Sequence, residues 1–350
     1  MQGGGAERVM SIIAPAIAMR GHEVLLASNF RRMVYSLPEN VRQFDIFRKK
    51  AFLGLSIFLE IFRLILLLKK ERPDVVVTFL SSASLRMYFA SFFTRTPWIV
   101  SEHSSFEQQL SVKNKILRCF LPRKANCVVL LSSVEAGLAR SFFKKTAVIP
   151  NPLSIRKLSN WENQVREASV CLCGDLSRYK QKGFDKMIQN WTEIPKRYPN
   201  WKLVIIGGEN SGIGGRQYLE RLVKQYGLES CVDFLGRQSE IANIFSSQRL
   251  YVSCSEVESF SMTTIEAMSQ GCICISFANA GPRSIIKNEE TGYLVERGNW
   301  KALTEKICEV IEMSEDSRRA ITKNAMDSLD KYELSKVISC WESLIMEVIQ

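Results

Sequence analysis

Histidine is the scarcest reactive residue in this chain: His22 and His103 are the only two in 350 residues. Ten cysteines are present, yet none forms a Cys-x-x-Cys pair. With that inventory no zinc site is expected. No uninterrupted apolar run is long enough to span a bilayer. The strongest segment, 51–68, is short and broken by Glu60 and Arg63, so it reads as a buried or interface helix. The basic start and apolar core of a secretory leader are missing as well. Cys171 and Cys173, like Cys272 and Cys274, lie two apart in apolar runs, on one face of a strand, and read as small core residues. Free thiols in such number fit a reducing cytosol. The expectation is a cytoplasmic protein, soluble or peripheral on the inner face of the cytoplasmic membrane.

Acidic residues are sparse in the first half. Residues 1–155 hold 22 Lys and Arg against 10 Asp and Glu, whereas 156–350 hold 25 against 26. The whole positive excess therefore lies in the first half and suits an anionic partner such as a membrane surface or a phosphorylated substrate. Lys113, Lys115, Arg118, Arg123 and Lys124 bracket the apolar Ile116, Leu117, Phe120 and Leu121, an amphipathic segment able to lie on anionic lipid. The basic residues are not interleaved with a nucleic-acid-binding module, so nucleic acid is not an expected partner.

The length accommodates two cores. Apolar, β-rich runs such as Asp74–Phe79, Trp98–Ser101, Cys127–Leu131, Ser169–Cys173, Lys202–Gly207 and Leu250–Cys254 alternate with helical periodicity. That order indicates βαβ units and parallel sheets. The alternation pauses after Pro150-Asn151-Pro152, which divides the chain into an N-terminal doubly wound domain over 1–153, a linker over 154–168, a second doubly wound domain over 169–332 and a final helix over 333–350 at the domain junction. Two such halves place a ligand in the cleft between them, beyond the carboxyl ends of the strands. A glycine turn comes almost at once, so the expectation is that either the true start lies upstream of Met1 or the first sheet lacks its opening strand.

Four stretches carry candidate chemistry. Glu258 and Glu266 stand eight apart across a polar turn and the start of a helix, where Ser261 or Thr263 can cap it. Free backbone N–H groups around Ser261, Met262 and Thr263 can hold a phosphate. Glu266 is set to accept from a ribose diol, and Glu258 to face whatever the phosphate carries. Both also read as ordinary carboxylates at a helix start. Arg178, Lys180 and Lys182 cluster on a loop after a strand, suiting a diphosphate leaving group or a solvated basic loop. His103 ends a strand at the carboxyl edge, in a catalytic or a structural role. Gly3-Gly4-Gly5 opens a helix in a turn that lets backbone approach phosphate.

Together with Gly21-His-Glu-Val, Pro73-Asp-Val-Val, Ser101-Glu-His, Ile149-Pro-Asn-Pro, Lys182-Gly-Phe-Asp, Phe234-Leu-Gly and Thr291-Gly-Tyr-Leu-Val, these motifs occur in the order seen in family 4 glycosyltransferases, which the chain resembles over nearly its whole length. The resemblance implies a GT-B fold of two Rossmann-like domains facing across a cleft, transfer without a metal or other cofactor, and retention of anomeric configuration. By resemblance, Glu258 contacts the donor sugar and Glu266 the ribose hydroxyls. Lys182 neutralises the diphosphate and His103 bonds a donor hydroxyl. Gly4 and Gly5 lie against the donor phosphates, and backbone near Arg237 meets the base. The chain departs from the family at Asp175, where arginine is usual and Arg178 stands close by, and at Ser284, where an acidic residue is common.

The implied activity is transfer of a hexose or N-acetylhexosamine from a nucleotide diphosphate-sugar, with UDP the commonest nucleotide of the family. The acceptor is a saccharide or lipid-linked saccharide in cell-surface glycan biosynthesis, including lipopolysaccharide. A sugar phosphorylase or epimerase is a rival enzyme class. A catalytically weak or inactive module that binds nucleotide-sugar is the alternative outside enzymes.

Overall fold

The computed structural model describes residues 4–28, 35–46, 53–79, 81–109, 111–210 and 212–350. Gly3 of the glycine turn and Ala51, at the start of the apolar segment, lie outside the described residues. The chain forms two compact units, one of residues 1–152 with 332–350 and one of residues 153–331. The final helix, Leu334–Ile349, thus belongs with the first unit.

In the first unit β1 (Val24–Ser28) pairs in parallel with β2 (Val41–Asp45), and β3 (Val76–Phe79), β4 (Trp98–Ser101), β5 (Cys127–Leu130) and β6 (Thr146–Val148) form a parallel sheet in that order. Helices α1 (Gly5–Met19), α2 (Leu53–Glu71) and α3 (Ser81–Ala90) supply apolar faces. Among the described residues no strand pairing joins β1–β2 to β3–β6. β4 and β5 are buried along their whole length, as their unbroken apolar sequences require of strands covered on both faces. Leu64 and Leu68 of α2 and Met87 of α3 pack with Trp98, Val100, Val128 and Leu130 in one core. The Trp98 indole N–H is satisfied inside it by the Thr78 hydroxyl at 2.9 Å.

The second unit is built on six parallel strands: β7 (Glu167–Cys173), β8 (Lys202–Ile206), β9 (Val232–Gly236), β10 (Gln248–Ser253), β11 (Ile273–Phe277) and β12 (Tyr293–Val295). Their spatial order is β12-β11-β10-β7-β8-β9. The first strand in sequence is central, and the chain winds outward from it in both directions. Val170, Cys171 and Leu172 of β7 are fully buried. Met187, Ile188 and Trp191, on the helix Phe184–Trp191, belong to the same core as Val170 and Leu172; each contributes roughly 1.5–3 kcal/mol by leaving water. The order reverses between β7 and β10, and that switch point is where parallel sheets of this winding bind ligands.

Candidate active site

At the switch point the loop after β7 and the loop after β10 are stitched together. The Glu256 amide donates to the Gln181 carbonyl at 2.9 Å. The Cys254 thiol, whose pKa burial pushes up to about 12, stays protonated and donates to the Lys182 carbonyl at 3.2 Å. Gly183 sits between the loops with φ +71°, and a Cβ there would meet the Cys254 carbonyl oxygen at 2.4 Å. Only glycine fits the position, because both the backbone conformation and the space demand it. The stitching sets Lys182 opposite Glu258, with Nζ 2.8 Å from Oε2 and each side chain about one-fifth exposed.

The turn carrying Glu258 is fixed from beneath. Phe260 is buried, the Gly281 amide donates to the Glu258 carbonyl at 2.9 Å, and the Asn279 side chain donates to the Ser255 carbonyl at 2.8 Å. Ser261 then adopts a left-handed conformation, φ 76° and ψ 70°, just before the helix Met262–Ser269. Such a conformation in a non-glycine residue costs of order 1–3 kcal/mol and persists only where the surroundings impose it. The expected side-chain cap is not made. The Ser261 hydroxyl turns to that of Thr264 at 2.7 Å, and the Thr263 hydroxyl pairs with that of Tyr251 at 2.7 Å. Both hydroxyls are drawn away from the helix N-terminus, that of Ser261 by a residue of its own motif and that of Thr263 by Tyr251 from β10.

Glu266 lies one turn into that helix and is buried. Its Oε1 accepts from the hydroxyl of Ser154, so a serine at the start of this unit occupies the carboxylate. Arg237 follows β9 and donates to the Asn210 side-chain oxygen. Asn210 in turn donates from its backbone and its side-chain nitrogen to Asp175, at 3.2 and 3.0 Å, while Asp175 also accepts from the Ser177 amide at 2.9 Å. Asp175 is therefore a brace across the loops after β7, β8 and β9. Arg178 binds the side-chain oxygen of Gln181 at 2.9 and 2.6 Å, within its own turn. Ser284 donates to the Gly281 carbonyl at 2.6 Å, closing its own helical turn.

His103, Gly4 and Gly5 belong to the first unit. His103 leaves the carboxyl end of β4 with Nε2 3.0 Å from the Ser101 hydroxyl and its ring 5.3 Å from that of Phe79. Burial pushes its pKa down to about 4. The imidazole is thus neutral at physiological pH and offers a hydrogen bond rather than a positive charge. Gly4 and Gly5 open α1 on an exposed face, and apart from their own chain neighbours and helix backbone no described atom lies within 4 Å of where a Cβ would stand on either.

Arg118 corrects the sequence reading. It is buried, 3.3 Å from Glu102, and donates to the carbonyls of Ser105 and Ser104 at 3.2 and 2.7 Å. It clamps the loop that carries His103 and does not belong to a lipid-facing surface; Leu121 is buried as well. Asp175, Asn210, Ser154 and Arg118 are the site-supporting residues that the sequence reading did not assign. Glu102 lies 16 positions from Arg118, Asp175 lies 35 from Asn210 and Glu266 lies 112 from Ser154, so no local signal pairs them.

Two family models divide the chain between them. The model described as Glycosyltransferase Family 4 matches residues 3–157, and that described as Glycosyl transferases group 1 matches residues 162–327. The chain belongs to the family 4 glycosyltransferases. Relatives span its length. An uncharacterized glycosyltransferase of Haemophilus influenzae is 26% identical, covering 98% of this chain and 96% of the relative. The GalNAc-alpha-(1->4)-GalNAc-alpha-(1->3)-diNAcBac-PP-undecaprenol alpha-1,4-N-acetyl-D-galactosaminyltransferase of Campylobacter jejuni is 28% identical, covering 99% and 96%. Among solved structures, HepE of Anabaena in complex with UDP and glucose aligns with a TM-score of 0.81 at 18% identity, covering 99% of this chain and 98% of that one. The shared fold is GT-B, and both units of the transferase are its Rossmann-like domains.

Proposed function

We propose that this glycosyltransferase moves a hexose or N-acetylhexosamine from a UDP-sugar to a saccharide or lipid-linked saccharide, with retention of configuration and without a metal ion. It works in cell-surface glycan assembly, lipopolysaccharide included, at the inner face of the cytoplasmic membrane. The observation that carries the reading is the Lys182–Glu258 pair at the switch point, with the Ser261 turn and Glu266 directly behind it. The UDP bound in HepE supports the nucleotide, and the PP-undecaprenol-linked acceptor in the name of the Campylobacter enzyme supports a lipid-linked one.

In this reading the donor diphosphate meets Lys182 and the amides at the start of the helix Met262–Ser269. Glu266 exchanges the Ser154 hydroxyl for the ribose diol, and backbone near Arg237 takes the base. Glu258 and neutral His103 bond sugar hydroxyls, and Gly4 and Gly5 admit the phosphates. Asp175 braces this frame, so its departure from the usual arginine leaves the cationic role to Lys182. The acceptor hydroxyl attacks the anomeric carbon from the side the diphosphate leaves. The new C–O bond forms as the bond to the diphosphate breaks, and a diphosphate oxygen takes the hydroxyl proton. The protein supplies positioning and charge stabilisation.

The test is a mass-spectrometric screen of nucleotide release from a panel of sugar donors, with native lipid extract as acceptor and EDTA present. UDP released in an extract-dependent way, and lost in Glu258→Ala, supports the reading. GDP release, dependence on added metal, or an inverted product would each overturn the corresponding part.

A further inference from the structure

Six of the seven exposed phenylalanines among the described residues come from one stretch of the first unit: Phe58, Phe62, Phe89, Phe92, Phe93 and Phe120. Their relative exposures run from 44% to 73%. Singly exposed apolar residues are ordinary, whereas a contiguous group of large ones marks an interaction surface. The group is contiguous because its elements are neighbours. Arg86 of α3 reaches Glu60 of α2 with Nε 2.8 Å from Oε2, and α3 packs against residues 116–124. Lys124 lies 3.1 Å above the Phe92 ring, and Arg123 4.6 Å from that of Phe120.

The exposed charge beside the rings is mainly positive, with Glu60 buried against Arg86. Lys113 and Lys115 are exposed in the helical turn Val112–Lys115, which leads straight to Phe120, while the acidic Glu102 nearby is buried against Arg118. Loops at the opposite end of β3 and β4 from His103 add Arg72 and Arg95, which with Lys69 and a single acid, Asp74, line a cavity of about 640 Å³. A second copy of this chain would bring the same lysines face to face. An anionic bilayer answers both features at once, taking the rings into the acyl boundary and the ammonium groups at the headgroups.

We propose that α2, α3 and residues 112–124 form the docking face for an anionic phospholipid bilayer. The inference rests on the reading of a membrane-side enzyme and names the face that makes the contact. Lys113, Lys115, Arg123 and Lys124 meet headgroup phosphates, and the phenylalanines anchor below them.

Co-sedimentation of the full chain with phosphatidylcholine vesicles, with and without phosphatidylglycerol, tests it. The protein binds the anionic vesicles and is released by salt. Phe62→Ser/Phe93→Ser and Lys113→Glu/Lys115→Glu each cut partitioning by at least about tenfold, with nucleotide release to a detergent-solubilised acceptor unchanged; all four positions are exposed, so neither variant empties a core. Equal partitioning of the variants and the parent would overturn the face while leaving a membrane-side enzyme intact. No binding of the parent to either vesicle would overturn both the face and the membrane-side reading, without touching glycosyl transfer. Equal affinity for zwitterionic vesicles would overturn the anionic requirement. A parent that sediments as a dimer, and becomes monomeric in the phenylalanine variant, would make the face a self-interface instead.

Discussion

Lys182 meets the largest charge in the proposed reaction, and its ammonium is already held at the switch point by Glu258. Lys182→Ala is expected to lower kcat by on the order of 10²–10³, the scale of losing one preorganised donor to a developing anion. A fall of less than about threefold removes that role. His103 makes a different prediction. Its folded pKa is about 4 against an ordinary 6.5, so between those values the unfolded chain takes up a proton that the folded chain refuses. The His103 contribution to stability is therefore intact above pH 6.5 and declines as pH falls, by at most about 1.4 kcal/mol per pH unit. Urea melts of His103→Gln at pH 7 and pH 5 should lack that slope. At this scale the sequence marked candidate chemical residues and hid which of the charges are braces. Glu258, Lys182 and Glu266 stand out in linear motifs. Asp175 and Arg118 look like free charges until Asn210 and Glu102 are brought to them.

The buried strands were legible because a parallel sheet covered on both faces demands an unbroken apolar run. Trp98–Ser101 and Cys127–Leu130 are such runs. β2 escaped notice because Val-Arg-Gln-Phe-Asp is exposed at all but its first residue and carries no apolar signal. β12 is three residues long. The helix Trp300–Glu312 carries its own signal: Leu303, Ile307, Val310 and Ile311 are buried at helical spacing. The prediction at this scale concerns the seam between the loops after β7 and β10. Gly183→Ala forces a Cβ against the Cys254 carbonyl in a left-handed backbone. It is expected to cost roughly 1–3 kcal/mol in a urea melt and to lower kcat with it by parting Lys182 from Glu258. Full stability and activity in the variant would mean that the seam is loose.

Across the whole molecule all ten cysteines are free thiols, and of them only Cys340 is exposed. Burial raises the thiol pKa of Cys171, Cys254 and Cys274, among others, which leaves them inert as nucleophiles. Maleimide labelling of the native protein should therefore modify Cys340 first, and Cys340→Ser should abolish the fast phase. Rapid labelling of several sites would mean that one of the units opens readily. The uneven charge was visible from composition alone, and it lies in the unit with the exposed phenylalanines. Where those rings would gather was not, because α2, α3 and residues 112–124 become neighbours only in the fold.

One turn of π-helix, Ile116–Phe120, has a mechanical meaning. Ile116 and Phe120 point outward from it, while Arg118 between them points inward and grips the carbonyls of Ser104 and Ser105. Five residues thus make a short crank with its handle on the surface and its pin in the loop next to His103. A force on the handle is expected to be felt at the pin. Amide exchange at Ser104, Ser105 and Phe106 would register a load placed on Phe120, although no atom of the load comes near them.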